Sequence, residues 1–308
     1  MLRVLILLVC VSFYVVPAFA QSASDTAALA ALSENAIVRL PAKKLFGAQK
    51  LPAEMKSRAI GSYAKGCLAG GTALPVNGPA WQVMRVSRNR NWAHPAMVAL
   101  VERLAVEARQ LDGWNGLLVG DLAQPRGGPM LSGHASHQVG LDADIWLNPM
   151  PDRLLTASER ENIAATLVVK DRSTLNNKVW TEAHARLIKR AASYPEVARI
   201  FVHPPIKAEL CKWATGERSW LAKIRPYYGH NYHFHIRINC PKDSAGCKNQ
   251  APARPKDGTG CGEELAYWMG DIPWRKPKKD PNAKPVKPAP AMTLAALPAA
   301  CRAVVTAQ

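Results

Sequence analysis

An α+β fold is predicted for this chain: an antiparallel sheet carrying the chemically interesting residues, flanked by helices and cross-linked by disulfides. Three observations predict it. Helical periodicity is confined to separate segments, clearest over residues 95–111, where Met97, Val98, Val101, Leu104, Ala105, Ala108 and Leu111 recur at three- and four-residue steps. Strand alternation marks others, above all residues 232–238, where Phe234, Ile236 and Ile238 fall on one side and His233 and His235 on the other. Beyond the first twenty residues six cysteines remain (Cys67, Cys211, Cys240, Cys247, Cys261, Cys301), an even number that suits disulfides if the chain is exported.

Export is what the N-terminus suggests. Arg3 is followed by an apolar run over residues 4–16 and by Ala18-Phe19-Ala20 before Gln21, the pattern of a cleaved secretory signal. The run is short of the roughly 20 residues that span a bilayer, and no later stretch reaches that length, so no transmembrane anchor is expected after cleavage. Cys10 would leave with the signal. Residues 1–20 are therefore read as a signal peptide, 21–59 as a leader segment, 60–270 as the main domain, and 271–308 as a basic, proline- and lysine-rich tail ending near Cys301.

In chain order, residues 60–79 are dense in Gly and Pro and read as loops around short strands, and 81–86 as a strand. Pro95 suits the first turn of the long helix, Asp112-Gly113 ends it, and His94 is expected at its surface or capping it. Residues 117–121 form a buried-strand candidate. After a Gly- and Pro-rich passage at 124–128, residues 141–147 read as a strand. Helices are expected over 158–169 and 181–192, the second leaving His184 exposed, and a strand over 198–202. His203 at that strand's end is left outside any site. Trp213, Trp220, Tyr227 and Tyr228 could line a groove, although core packing is the plainer role for each. A short helix is expected over 263–269, a semi-rigid basic linker over 271–290, and a last helical turn over 292–300.

Charge is the other global fact. Forty Lys and Arg face 23 Asp and Glu, an excess that gives affinity for polyanions in general. With no aromatic-and-basic recognition motif, an acidic wall polymer suits an exported chain better than nucleic acid does.

Five of the eight histidines fall in two short stretches. One runs Ser132-Gly133-His134-Ala135-Ser136-His137-Gln138-Val139-Gly140-Leu141-Asp142-Ala143-Asp144. The other runs Gly229-His230-Asn231-Tyr232-His233-Phe234-His235. A turn at Gly140 followed by a strand can fold a carboxylate back beside His137, and Asp142 and Asp144 would share a side of that strand, so either could reach a metal. Imidazole and carboxylate are what a catalytic zinc takes when one position stays open for water. A lone histidine is usually a surface or hydrogen-bonded residue; His-x6-Asp combined with a distant His-x-His on a strand is a different matter. No Cys-x-x-Cys pair and no His-Glu-x-x-His helix compete with this reading.

Those motifs carry a resemblance. The chain resembles the penicillin-insensitive murein endopeptidases, within the zinc peptidase group of lysostaphin-type enzymes, D-alanyl-D-alanine metallopeptidases and the hedgehog amino-terminal domain. The group signature is His137 to Asp144 with His233-Phe234-His235. Further landmarks are Ile60-Gly61-Ser62 with Gly66-Cys67, Gly133 to Gln138 with Gly140-Leu141-Asp142, Arg199 to Val202, and Gly260-Cys261-Gly262. The resemblance implies His137, Asp144 and His235 as zinc ligands, and His233 as general base or transition-state stabiliser. It implies His134 and His230 as further active-site histidines, and His134 with Asp171 as positions sometimes given to metal. Thr174, where relatives can carry histidine, argues for one zinc and against a second. Fifteen cysteine pairings are open to the sequence; the resemblance implies Cys67 with Cys301, Cys211 with Cys261, and Cys240 with Cys247.

Zinc acts as a Lewis acid on a carbonyl and brings a coordinated water's pKa down to about 7. A neighbouring histidine can take the water's proton and hand it to the leaving amine. The expected function is periplasmic hydrolysis of D-alanyl-meso-diaminopimelyl cross-links of peptidoglycan, with no acylated serine for β-lactams to trap. The alternatives are a D,D-carboxypeptidase or dipeptidase on the same site, and a non-catalytic wall-binding module that keeps zinc for structure.

Overall fold

The computed structural model of the chain describes residues 34–276 and 290–307. The expected signal, the first part of the leader, the linker residues 277–289 and residue 308 lie outside the described residues. The chain divides into two compact units, Met1–Ile37 and Val38–Gln308. Of the first, one helical turn, Glu34–Ile37, is described.

The second unit is α+β. It starts with helix α1 (Ala42–Ala48) and an antiparallel hairpin of β1 (Arg58–Ser62) and β2 (Lys65–Ala69). Short strands β3 (Thr72–Ala73), β4 (Asn77–Gly78), β5 (Trp81–Val83) and β6 (Trp92–Ala93) lead into helix α2 (Pro95–Leu111). Then come β7 (Leu117–Val119), β8 (Asp142–Pro149), α3 (Ala157–Asn162), α4 (Glu182–Ser193), β9 (Val197–Val202) and α5 (Pro204–Trp213). The unit closes with β10 (Ile224–Pro226), β11 (His233–Ile238), α6 (Glu263–Met269) and α7 (Ala300–Thr306).

Seven strands form one sheet in the order β10-β9-β11-β8-β7-β5-β4. The central pairings β9/β11, β11/β8 and β8/β7 are antiparallel, while β10/β9 and β7/β5 are parallel. Alternation sorts the two faces. Ala143, Ile145 and Leu147 of β8 and Phe234, Ile236 and Ile238 of β11 lie in the main core with the apolar faces of α2 and α4. Asp142, Asp144, His233, His235 and Arg237 occupy the other face, where a smaller cluster around Trp146, Met84 and Leu155 closes one side.

Helix α2 forms as its sequence demands, with Pro95 in the first turn and the His94 side chain accepting the Ala96 N–H at 3.2 Å. His94 is thus a cap, and a buried one. His184 is a correction: expected in solvent, it is 3% exposed. Positions 184, 188 and 191 share one helical stripe, so its ring goes where Ile188 and Ala191 go, receives the Thr181 N–H on Nδ1 and reaches the Leu147 carbonyl with Nε2. The helix expected over residues 158–169 is shorter, ending at Asn162. There the Arg85 guanidinium donates to the carbonyls of Arg160 and Ile163, and the chain turns away to pack Ile163 and Ala165 near Trp146.

Three disulfides join Cys67 to Cys301, Cys211 to Cys261 and Cys240 to Cys247. The first closes 234 residues of chain and fixes α7 to β2. Buried Arg126 caps that helix by donating to the carbonyls of Val304, Val305 and Ala307. Among the described residues no helix is long and apolar enough to cross a membrane.

Candidate metal centre and cleft

The register of β8 and β11 brings the two motifs together. His235 lies directly opposite Asp144, and Arg237 opposite Asp142. Ninety residues of sequence are thereby reduced to one cross-strand step of about 5 Å. The third element is the loop before β8. Gly140 turns it at φ +70, with its would-be Cβ 2.8 Å from the His94 backbone nitrogen, so glycine is required. His137 is also left-handed, at φ 65, a conformation costing a non-glycine residue on the order of 1 kcal/mol. Neighbouring bonds hold it there: the His137 N–H donates to Asp142 Oδ2 at 2.9 Å, and Gln138 ties the loop to the Ala64 carbonyl and the Gly66 N–H.

Three imidazoles face one carboxylate oxygen. Asp144 Oδ1 is 3.4 Å from His137 Nε2, 3.2 Å from His235 Nδ1 and 3.7 Å from His233 Nε2. His134 Nδ1 approaches the other oxygen, Oδ2, at 3.5 Å. One ligand atom each from His134, His137 and Asp144 fall within 4.8 Å of one another. Among the described residues, Asp144 Oδ1 and both ring nitrogens of His137 are buried without a hydrogen-bond partner. Buried polar atoms normally have partners, and here those of His137 and Asp144 face one another without a hydrogen bond. A divalent ion taking nitrogen and oxygen ligands would satisfy them together, so the donor set fits a metal such as zinc.

Two of the histidines are held from behind by carboxylates. His235 Nε2 is 2.8 Å from Asp142 Oδ1, and His134 Nε2 is 2.9 Å from Asp121 Oδ2. An ionised carboxylate only accepts, so each Nε2 carries a hydrogen, and each Nδ1 is the ring atom turned toward Asp144. Asp142, which sequence left as a possible ligand, is thus occupied by His235, the His137 N–H and Arg237 Nε at 2.7 Å. Asp144 is the carboxylate facing the ring nitrogens.

Burial works against ionising these acids, yet the cations and imidazoles prevail. Asp142 is held far below the usual carboxylate range chiefly by Arg237 and His235, and Asp144 likewise by His233 and His137. Asp121 falls to about 2 against its own burial, through His134 and Arg90. Burial pushes His233 down, and His230, beside it with ring centroids 5.0 Å apart, is lowered to about 3 by burial and then by His233 and His235. Both are neutral imidazoles at ordinary pH.

His134, His233 and His235 of the cluster open onto a cleft of about 790 Å³, whose walls also include His230, Tyr227, Tyr228 and Arg88, while His137 and Asp144 are not among its lining residues. Of the four aromatics suggested for a groove, Tyr227 and Tyr228 line it; Trp220 is in the core and Trp213 packs against the core. Asp171 stands apart from the cluster. It is exposed and accepts from the N–H and hydroxyl of Ser173, a turn in its own loop. His203 precedes α5 as its N-cap residue, beside Trp274, and does not line the cleft. Asp121, Arg88, Arg90 and Arg237 were not singled out from sequence. Asp121 had a faint signal, as a carboxylate two positions after the apolar strand 117–119; the arginines had none among so many basic residues.

Comparisons with known proteins follow the same residues. A family model described as "Penicillin-insensitive murein endopeptidase" matches residues 59–306. A protein of that name from Haemophilus influenzae is 48% identical over 216 residues, 70% of this chain and 74% of the relative. One from Klebsiella pneumoniae is 39% identical over 248 residues, 80% of this chain and 86% of the relative. One from Salmonella newport is 40% identical over 253 residues, covering 82% and 88%.

Proposed function

The chain belongs to the penicillin-insensitive murein endopeptidase family, and from that premise we propose a zinc-dependent endopeptidase that hydrolyses D-alanyl-meso-diaminopimelyl cross-links of peptidoglycan in the periplasm. The observation that carries the reading is the unpartnered, buried set of nitrogens and oxygen around Asp144 Oδ1, beside which His134, His233 and His235 open onto a cleft. His137, Asp144 and His235 would hold the ion, with His134 a further candidate and one ion per chain. When bound, zinc supplies Lewis acidity toward the scissile carbonyl and the attacking water. Three disulfides and a signal-like N-terminus support export to an oxidising compartment.

The chain's own groups supply the rest. His233, neutral and on the cleft wall with Nε2 toward Asp144, accepts the proton of the attacking water and returns it to the leaving amine. His230, neutral beside it, is placed to stabilise charge developing on the substrate. Asp142 and Asp121 keep His235 and His134 in one tautomer and orientation. Since water is the nucleophile, no serine is acylated, and β-lactams have nothing to trap.

Purified cross-linked muropeptide dimers test the reading. The wild-type protein should turn dimers into monomers without freeing D-alanine, which separates it from a carboxypeptidase. His137→Ala should abolish hydrolysis and lower bound zinc while sacculus binding persists. Digestion at the normal rate by that variant would show the site to be misplaced.

A further inference from the structure

We propose that a carboxylate-binding subsite centred on Arg88 opens directly off the metal cluster and takes the free carboxylate on the leaving-amine side of the cleaved bond; this deepens, and rests on, the functional reading above. A recess of about 120 Å³ adjoins the main cleft and shares Arg88, Asp121, His134 and Tyr232 with it, and Asp144 lies in its wall. Contacts step from the arginine to the cluster: Arg88 Nη1 is 3.1 Å from Asp121 Oδ2, that oxygen 2.9 Å from His134 Nε2, and His134 Nδ1 3.5 Å from Asp144 Oδ2. One aspartate oxygen and one imidazole thus separate Arg88 from Asp144.

The substrate's chemistry requires a cation there. In a D-alanyl-diaminopimelyl link the amide nitrogen is attached to a carbon that bears a free carboxylate. Brought to this site, that anion approaches the ionised Asp121, and a guanidinium not spent on other acids can offset the repulsion, while a bound ion would compensate Asp144. Two nearby guanidinium groups are already committed. Arg237 serves Asp142 and Gln250 and packs on Tyr63 and Phe201. Arg90, its side chain 11% exposed, serves Asp121 and Ser132.

Arg88 differs. Its side chain is 47% exposed and gives only Nη1 to Asp121, leaving Nε and Nη2 with no hydrogen-bond partner among the described residues. Those groups can meet a carboxylate as a fork. Arg85 lines the same recess with its guanidinium on the backbone carbonyls of Arg160, Glu161 and Ile163 and no carboxylate within ion-pair distance among the described residues, so it adds positive field. Glu161 is the opposing acid nearby, and it is bonded to the Ser87 N–H and hydroxyl. The recess has room for a carboxylate and the carbon that bears it, while the rest of the substrate lies in the main cleft.

The test compares two muropeptide dimers, one natural and one with that single carboxylate converted to its amide, using the zinc-loaded full-length mature protein. Wild type should favour the natural dimer in kcat/KM by roughly 10–100-fold, the range of one charge-assisted pair. Arg88→Gln should cut this preference below about 3-fold, with most of the loss in kcat/KM falling on the natural dimer, and Arg88→Lys should recover part of it. An undiminished preference in Arg88→Gln would overturn the subsite. So would an equal loss on both dimers, because that would mean Arg88 acts only through Asp121 and His134. A wild-type protein inert on both dimers would instead overturn the functional reading, an outcome distinct from either.

Discussion

Replacing Asp142 by Asn probes the support behind the metal centre without touching a facing ligand atom. In the native fold this carboxylate accepts from Arg237 Nε at 2.7 Å, His235 Nε2 at 2.8 Å and the His137 N–H at 2.9 Å, with no exposure to solvent. An amide preserves the shape but brings one acceptor and one donor group where three donors converge. At least one buried donor is left facing an N–H. Arg237, 7% exposed, loses its counter-charge. Removing one partner from a buried pair costs about 3–5 kcal/mol, and the remaining amide oxygen argues for the lower end. At about 2–4 °C per kcal/mol for a unit of this size, calorimetry should show Tm lowered by about 6–12 °C. Loss of the hydrogen-bonded support of His235 and His137 should weaken zinc about 10–100-fold, measured by competition with a chromophoric chelator. An unchanged zinc affinity alongside a lowered Tm would refute the idea that Asp142 orients the ligands and leave it a purely structural residue.

Asp171→Ala should leave bound zinc at one per chain and dimer hydrolysis within about a factor of 3, because the residue is exposed and bonded only within its own loop; loss of metal in elemental analysis would contradict the single-ion reading. Burial holds His184 below its unfolded value of 6.5, so the unfolded chain takes up a proton that the fold resists. Its contribution is therefore full above pH 6.5 and is lost as pH falls toward its folded value, and the slope of Tm against pH in that window should shrink in His184→Asn. Replacing Cys67 and Cys301 together by Ser should destabilise the protein by about 2–5 kcal/mol in denaturant unfolding, since this bond closes the longest loop. An unaltered midpoint would mean that Arg126 and apolar packing hold α7 unaided.

The elements that local pattern specifies were legible in the sequence. Helix α2 follows from its apolar stripe with Pro95 and His94 at the start, and β11 from strict alternation that sends Phe234, Ile236 and Ile238 to the core. Where reading failed, a distant partner had decided. Helix α3 stops at Asn162 beneath Arg85, which lies 77 positions earlier. His184 was assigned to solvent because its residue type outweighed its place on the stripe of Ile188 and Ala191.

By itself the sequence determined which residues are available for metal chemistry, and that β8 and β11 would each present polar groups on one face, because spacing and strand period are local properties. Only the tertiary structure decided what those groups do. The register set His235 opposite Asp144, and the left-handed turn at His137 brought a second imidazole to the same oxygen. Of two equivalent-looking aspartates, one was bound by Arg237 and His235, and the other was left facing the imidazoles. The physical reason is that a carboxylate's role depends on which donors reach it, and every donor that separates Asp142 from Asp144 here comes from a strand or loop that folding had to bring alongside.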